Sequence, residues 1–205
     1  MSRTKPCVAL VVLAFTLSSV PAYAQPLTQQ DRDSLLKHLQ QTRQAFLDSI
    51  SGLSDAQWTF RAGPDRWSIA EVAEHIAISE TTILRLVTDQ IPKGPPLPPN
   101  ANVVSDDKLL AWLLDRTSKF QAPEMLKPTN RWPTRDALTK DFVAARERTA
   151  TYVRTTTDDL HGHGAPHPVF KMLDGYQWVL LLSGHSARHT AQIEEVKASV
   201  GYPTK

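Results

Sequence analysis

The stretch GHSARHTAQI, residues 184–193, decides the fold prediction because it places two histidines four positions apart in a helical pattern. Side chains at positions i and i+4 of a helix lie on the same face, one turn apart. His185 and His189 belong to a stripe with helical spacing, whose other members are Trp178, Leu182, Ile193 and Val196. The two histidines are therefore expected to face the interior of a helical protein.

Two interpretations of this pair remain open on the residues alone. One metal ion can bind both rings, or each neutral ring can find its own hydrogen-bond partner in the core. The spacing by itself is a weak signal, since the seven histidines of the chain would give about 0.2 such pairs by chance. A metal site would also need a further ligand from another segment.

His75 is the best candidate for that third ligand. It lies in a predicted helix at the edge of an apolar face that includes Val72 and Ile76. A polar lane cuts through this helix and contains Glu71, His75, Ser79 and Thr82. Such a lane either lines the mouth of a cavity or faces solvent.

The apolar periodicity predicts four long helices, and no strand pattern appears. Their expected bounds are Thr28 to Gly52, Ser68 to about Ile91, Thr134 to Thr156, and Asp174 to Gly201. A shorter helix is predicted from Ser105 to Phe120. We therefore expect an all-α protein, an antiparallel four-helix bundle with a short inserted helix between helices two and three.

The first 24 residues have the pattern of a secretory signal peptide. Arg3 and Lys5 precede an apolar run, and the small-residue sequence Ala22-Tyr23-Ala24 follows it. We expect cleavage after Ala24, one domain over residues 25–205, and a periplasmic or secreted protein. The apolar run is too short to span a bilayer, and no later stretch approaches the ~20 apolar residues of a membrane helix.

Composition restricts the choice of partners. The chain has 23 Lys and Arg against 21 Asp and Glu, and removal of Arg3 and Lys5 makes the two totals equal. No basic cluster remains to contact a phosphate backbone, so nucleic acid is not an expected partner. Cys7 is the single cysteine, so the mature chain forms no internal disulfide. The oligomeric state stays open, a homodimer included.

Two segments carry a family resemblance. RWSIAEVAEHIAISE, residues 66–80, and HPVFKMLDGYQWVLLLSGHSARHTAQIEEV, residues 167–196, resemble the DinB-like superfamily of metal-binding four-helix bundles, which includes the YfiT type of metal-dependent hydrolases. The resemblance implies that His75, His185 and His189 bind one divalent metal ion. Relatives commonly have glycine where this chain has Lys171, which places the local loop shape in question.

Three neutral imidazoles leave a coordination position for water or substrate, which is typical of catalytic sites. Zinc is the first expectation and nickel the second, because imidazole donors suit both. Glu71 is the candidate general base, and its alternative role is the capping partner of Ser68. Gln192 is a second candidate catalytic residue that contacts a ligand or substrate, or else faces another helix.

Other polar residues have weaker claims to a role. Arg188 either binds a substrate carboxylate or is solvated, and the solvated state is favoured. His161, His163 and His167 lie in a Gly- and Pro-containing segment that is expected to be an exposed loop. Three functions stay open. As an enzyme, the protein would act on a small molecule as a metal-dependent hydrolase or as a thiol-dependent transferase or isomerase. As a noncatalytic protein, it would be a bundle stabilised by its metal.

Overall fold

The computed structural model describes residues 26–98, 101 and 104–204, so the predicted signal peptide and Cys7 lie outside the described residues. Within that part of the chain, no helix combines the length and hydropathy needed to cross a membrane. The described residues form six α-helices and one two-stranded hairpin. They are α1 Gln29–Ile50, α2 Asp55–Thr59, α3 Ile69–Arg85, α4 Asp106–Leu114, α5 Arg135–Thr155, β1 Gly164–His167, β2 Lys171–Asp174 and α6 Gly175–Lys197.

Side-chain caps define where the long helices begin. Thr28 and Asp31 form a reciprocal capping box at α1, and Ser68 and Glu71 form another at α3. At α6, the Asp174 side chain accepts a hydrogen bond from the backbone N–H of Gln177. Each cap satisfies N–H groups that the first helical turn leaves without partners. The helix starts predicted from these polar residues are confirmed.

The four-helix bundle is confirmed, with α1, α3, α5 and α6 packed in a ring. The start of α1 lies beside the end of α5, because Arg32 donates to the carbonyls of Val153 and Thr156. The first turns of α1 and α6 also meet, since the Tyr176 hydroxyl contacts Ser34 Oγ at 3.5 Å. Helices α1 and α5 therefore run antiparallel, as expected for the bundle, whereas α1 and α6 run parallel and differ from that expectation. The long connection between α3 and α5 likewise lets these two helices run in one direction, as the packing of Val72 and Phe142 in one cluster shows.

The bundle core consists of two apolar clusters with a polar layer between them. One cluster includes Leu35, Leu39 and Leu113, and the other includes Phe46, Phe142 and Ile193. Between them, Arg146 donates to both carboxylate oxygens of Glu80 at 3.0 and 2.8 Å. Its other hydrogen bonds go to the carbonyl of Leu39 and to the hydroxyls of Thr42 and Ser186. The buried charges are thus fully paired, as burial in an apolar interior requires.

The inserted helix is confirmed but ends at Leu114, six residues before the predicted Phe120. Helix α4 packs on α6 at Gly184, where a Cβ atom would lie 2.6 Å from Leu113 Cδ1. The chain then leaves the helix because Arg188 of α6 binds the carbonyls of Leu113, Asp115 and Ser118. A tertiary contact therefore overrides the helical preference of the following residues.

Two further elements differ from the prediction. The second long helix changes to a π-helical turn at Leu86–Gln90 and a 3₁₀ turn at Ile91–Lys93. The expectation of no strands was wrong, because β1 and β2 pair antiparallel from Gly164 and Asp174 to His167 and Lys171. Each strand has only four residues, so neither is long enough to produce a clear alternating pattern.

Lys171 begins β2 in an unusual backbone conformation. Its φ angle is +64°, which lies in the left-handed region that glycine adopts without steric cost. The turn before it is closed by His167, whose Nδ1 accepts hydrogen bonds from the N–H groups of Val169 and Phe170. Lys171 therefore adopts this turn at some energetic cost, which glycine would avoid.

Candidate metal centre

Three histidine rings meet where α3 packs against α6. His75, His185 and His189 each offer one ring nitrogen, and these three atoms all lie within 4.8 Å of one another. The Nε2 atoms of His75 and His185 are 3.2 Å apart. No other group of three His, Cys, Asp or Glu side chains with this geometry occurs among the described residues. The structure therefore brings together the three histidines singled out in the sequence.

The spacing of these nitrogens suits one metal ion. Tetrahedral coordination with metal–nitrogen bonds of ~2.0–2.1 Å places neighbouring nitrogens about 3.3 Å apart. The 3.2 Å between His75 and His185 is close to that separation. His75 is buried, whereas His185 and His189 keep part of their surface open to solvent. Three imidazole nitrogens at this spacing suit a divalent ion.

A loop carbonyl orients the ring of His75. Its Nδ1 lies 2.8 Å from the carbonyl oxygen of Leu126 and donates a hydrogen to it, so the lone pair is on Nε2, the atom that faces His185. The indole of Trp67 packs against the other side of this ring, with 5.1 Å between the centroids. His75 is therefore held in the tautomer and orientation that metal binding through Nε2 needs.

The loop that supplies Leu126 is itself attached to α3. The buried carboxylate of Glu74 accepts hydrogen bonds from the backbone N–H groups of Thr129, Asn130 and Arg131, at 2.8 to 3.0 Å. Asn130 has a φ of 60°, a left-handed conformation that asparagine tolerates. Glu74 and His75 are neighbours in α3 and bind the same loop. The position of the His75 ring therefore depends on that loop.

Gln192 orients the ring of His189. Its Oε1 lies 2.8 Å from His189 Nδ1, so that nitrogen carries the proton and the other keeps its lone pair. Gln192 was predicted to contact a ligand or substrate, or another helix. In the structure it hydrogen-bonds His189, one of the candidate metal ligands. Among the described residues, the ring of His185 has one hydrogen-bond contact, which joins its Nε2 to Nε2 of His75.

All three rings have lowered pKa values. Burial lowers the pKa of His75, although the hydrogen bond to Leu126 opposes this effect. Burial together with the neighbouring His189 and His75 lowers the pKa of His185 well below its usual range. For His189, burial and then the nearby His75 lower the pKa to about 3. Neutral imidazoles at physiological pH are the form that binds metals.

The carboxylate of Glu71 contacts Ser68 and Arg61. Its Oε2 accepts hydrogen bonds from the backbone N–H and the hydroxyl of Ser68. Its Oε1 lies 2.5 Å from the guanidinium of Arg61. Both oxygens are therefore engaged in the helix cap and an ion pair, which is the alternative role expected from the capping-box spacing. The role as general base stays a prediction.

The favoured expectation that Arg188 is solvated was wrong. Only 6% of the residue is exposed. The guanidinium donates to the carbonyl of Leu113 near the end of α4 and to those of Asp115 and Ser118 after it. It also lies over the rings of Trp112 and Phe120, 5.7 Å from each centroid. Arg188 thus fastens this segment to α6 and does not present its donors to solvent.

The three histidines before α6 lie apart from the cluster and have other partners. His161 contacts the carboxylates of Asp174 at 3.1 Å and Asp31 at 3.6 Å. His163 hydrogen-bonds the carbonyl of Gly94, and His167 closes the hairpin turn. The segment was expected to be an exposed loop, but part of it forms β1. These three residues therefore connect the hairpin to its surroundings.

Three supporting residues were not singled out from the sequence. Glu74 is an ordinary helix glutamate by pattern, and nothing in its spacing reveals the loop that it binds. The carbonyl of Leu126 carries no side-chain signal at all. Arg116, whose charge acts on His189, follows a helix that was predicted to continue through it. Leu126 contacts His75, Glu74 contacts Thr129, and Arg116 contacts Glu195. The two members of each pair are more than 50 positions apart in sequence.

The comparisons with known proteins agree with this geometry. Residues 38–193 match the sequence profile of the DinB superfamily, and the chain belongs to that family. The matched region contains the first segment that carries the resemblance, all but the last three residues of the second, and all three clustered histidines. The family membership inferred from the sequence is therefore confirmed.

The individual proteins that resemble this chain have sequence identities of 18 to 25%. The uncharacterized protein YuaE of Bacillus subtilis is 25% identical over 153 residues, which cover 75% of this chain and 91% of YuaE. The structure of YfiT from Bacillus subtilis aligns with a TM-score of 0.55 and 18% identity, covering 86% of this chain and 91% of YfiT. YfiT is described as a probable metal-dependent hydrolase with an unusual four-helix bundle topology. The four-helix bundle protein TT2238 aligns at a TM-score of 0.47 and 21% identity, covering 80% of this chain and 98% of TT2238.

Proposed function

We propose that this protein binds one divalent metal ion through His75, His185 and His189 and uses it to hydrolyse a small-molecule substrate. The observation that carries the proposal is the convergence of three ring nitrogens within 4.8 Å of one another. Two of these rings have an Nδ1 hydrogen bond that places the lone pair on Nε2. Membership of the DinB superfamily and the likeness to YfiT agree with this proposal.

The presence of three and not four protein donors in the described group supports catalysis over a purely structural site. Structural zinc sites in proteins are closed by four protein ligands, whereas catalytic sites keep an open position. No fourth His, Cys, Asp or Glu joins the group in the part of the chain that the structure describes. A divalent ion held there supplies Lewis acidity toward a water molecule or a substrate oxygen.

The residues around the cluster have distinct proposed roles. Gln192 positions His189, since it contacts that ring directly. Glu71 lies one helical turn before His75 and is the proposed proton acceptor. It would have to exchange its contact with Arg61 for one with water. We propose zinc as the native ion and nickel as the alternative, because both accept imidazole ligands.

Metal analysis of purified variants tests the site. We expect wild type to bind one equivalent of zinc, and His75→Ala, His185→Ala and His189→Ala to lose most of this affinity. The loss should exceed the ~10–100-fold effect of removing an outer hydrogen-bonding partner. His38→Ala is the matched control, because His38 lies on α1 and belongs to no such group. Full zinc occupancy in all three site variants would contradict the proposal.

Activity assays separate the three candidate functions. A hydrolase turns over esters, amides or phosphoesters when metal is present, with no requirement for an added thiol. A thiol-dependent transferase needs a low-molecular-weight thiol as well. A structural site gives no turnover under either condition, and metal removal lowers the melting temperature only. Screening the metal-loaded protein with and without thiol therefore identifies the class.

We also propose that the protein is exported and acts in the periplasm or outside the cell. The support is the charged, apolar and small-residue pattern of residues 1–24. Expression of the full chain with a C-terminal tag tests this, because amino-terminal sequencing of exported material should begin at Gln25. Retention of Met1 on protein that stays inside the cell would contradict export.

A further inference from the structure

The loop over residues 121–131 is attached to the bundle at two adjacent side chains of α3. The carbonyl of Leu126 lies 2.8 Å from His75 Nδ1. The backbone N–H groups of residues 129–131 donate to the carboxylate of Glu74 at 2.8 to 3.0 Å. Among the described residues, all hydrogen bonds that join this loop to the rest of the protein end on Glu74 or His75.

The two attachment points are connected within the loop itself. The guanidinium of Arg131 donates to the hydroxyl of Thr129 at 3.3 Å and to the carbonyl of Met125 at 3.1 Å. It therefore joins the end of the loop that Glu74 binds to the residue that precedes Leu126. A displacement of the loop at Glu74 is consequently transmitted to the carbonyl of Leu126.

Glu74 is suited to holding this loop in place. Only 4% of the residue is exposed, and hydrogen bonds from N–H groups to an ionised carboxylate are stronger than those between neutral groups. Most residues of the loop are exposed to solvent, so little apolar burial keeps them in this position. The contacts with Glu74 therefore contribute much of the free energy that holds the loop on α3.

We propose that Glu74 is a positioning residue of the metal site, which acts on His75 through the 121–131 loop and thereby sets the affinity for the ion. The inference rests on the proposed metal function. Glu74 fixes the loop, and the carbonyl of Leu126 fixes the tautomer and orientation of the His75 ring. The coupling is reciprocal, because metal binding must strengthen the attachment of the loop by the same factor. Metal should therefore protect the N–H groups of residues 129–131 from exchange with solvent.

Zinc affinity and amide hydrogen exchange together test this inference. We expect Glu74→Gln, which keeps the length of the side chain but removes its charge, to bind zinc ~10–100-fold more weakly than wild type. Glu74→Asp keeps the charge but withdraws the oxygens by one methylene, so its affinity should be intermediate. In wild type, zinc should slow exchange of the three amides at least ~10-fold, and Glu74→Gln should lose this protection. A merely structural role would lower the melting temperature of Glu74→Gln and leave its zinc affinity unchanged.

Substitution of Asn130 perturbs the loop without altering Glu74. Asn130 has a φ of 60°, which a β-branched side chain strongly disfavours and glycine accepts. Asn130→Val should therefore weaken zinc binding as Glu74→Gln does, whereas Asn130→Gly should keep wild-type affinity. Because Asn130 is exposed, this pair of variants tests the loop even where Glu74→Gln fails to fold.

Asp141→Ala is the matched control, since it removes the side chain on α5 that accepts a hydrogen bond from Trp132, the residue directly after the loop. It should bind zinc as wild type does. Wild-type affinity in a folded Glu74→Gln or in Asn130→Val would overturn the inference and leave the metal site intact. An equal loss of affinity in Asp141→Ala would also overturn it. Failure of the wild type to bind zinc would instead contradict the proposed function, and the inference with it.

Discussion

Gln192 lies three residues beyond His189 on α6, and its side-chain oxygen accepts a hydrogen bond from Nδ1 of that ring at 2.8 Å. The contact fixes which nitrogen of His189 carries the proton. It also compensates part of the cost of burying the ring, because it opposes the effect of burial on the pKa of His189. A residue that does not itself touch the metal position therefore controls one of the three ligands.

Replacing Gln192 should weaken metal binding. In Gln192→Leu the ring of His189 loses its acceptor, and we expect zinc affinity to fall by ~10–100-fold. Gln192→Glu keeps an acceptor oxygen at the same place and should retain wild-type affinity or exceed it. Competition titration against a chromophoric chelator measures both values. Equal affinity in the Leu and Glu variants would show that the hydrogen bond does not support the site.

The metal-free protein should lose stability as the pH falls below ~6.5, the ordinary histidine pKa in an unfolded chain. The pKa of His189 is lowered to about 3 in the folded state. Above pH ~6.5 both states are neutral and its contribution is fully present. Below that pH the unfolded chain takes up protons that the folded state excludes, so stability is lost progressively toward the folded pKa.

Urea unfolding of the metal-free protein between pH 5 and 7.5 measures this dependence. His189→Gln should show a shallower slope than wild type, by up to ~1.4 kcal/mol per pH unit. His161→Gln is the opposing control, because Asp174 raises the pKa of His161 in the folded protein. That ring stabilises the fold below its unfolded pKa, and its contribution is lost as the pH rises through the folded value. An unchanged slope in His189→Gln would contradict the prediction.

Breaking the buried pair between Glu80 and Arg146 should be strongly destabilising. Both side chains are almost completely buried, at 0% and 2% exposure. Glu80→Gln leaves the Arg146 charge without its carboxylate, and we expect a loss of about 3–5 kcal/mol in the free energy of unfolding. Glu147→Gln on the same bundle removes the exposed contact with Arg154 and should cost far less. Similar losses from the two variants would be inconsistent with this account.

Replacing Lys171 with glycine should stabilise the hairpin. Lys171 has a φ of +64°, and relief of the left-handed conformation should raise the free energy of unfolding by about 0.5–1 kcal/mol. Lys171→Ala removes the same long side chain but keeps Cβ, so it should give little gain. Thermal unfolding of the two variants side by side distinguishes backbone strain from a side-chain effect. A gain shared by both variants would exclude the backbone explanation.

Much of the fold could be predicted from local sequence signals. Capping residues such as Ser68 and Asp174 fixed the helix starts correctly because their hydrogen bonds are formed within one turn. The helical spacing of His185 and His189 similarly placed both rings on the face that packs against α3. These features depend on residues a few positions apart, which a single sequence reveals directly.

The remaining features depend on partners that are distant in the chain. Helix α4 ends early because Arg188 binds carbonyls at and beyond its end, those of Leu113 and Ser118, from 70 to 75 positions away. The orientation of His75 depends on a carbonyl 51 positions away, which no side-chain pattern can indicate. The parallel course of α1 and α6 likewise follows from the path of the long connections. Local periodicity carries no information about such contacts.

His75 and His185 are 110 positions apart, and this separation determines when the site can exist. A nascent chain on the ribosome cannot complete the site until the last helix has been synthesised and has docked. Capture of the ion is consequently a late event in folding, because long-range contacts form after local helices. The ion then stabilises the folded bundle but not folding intermediates in which the last helix has not docked. The yield of native protein therefore depends on the supply of metal.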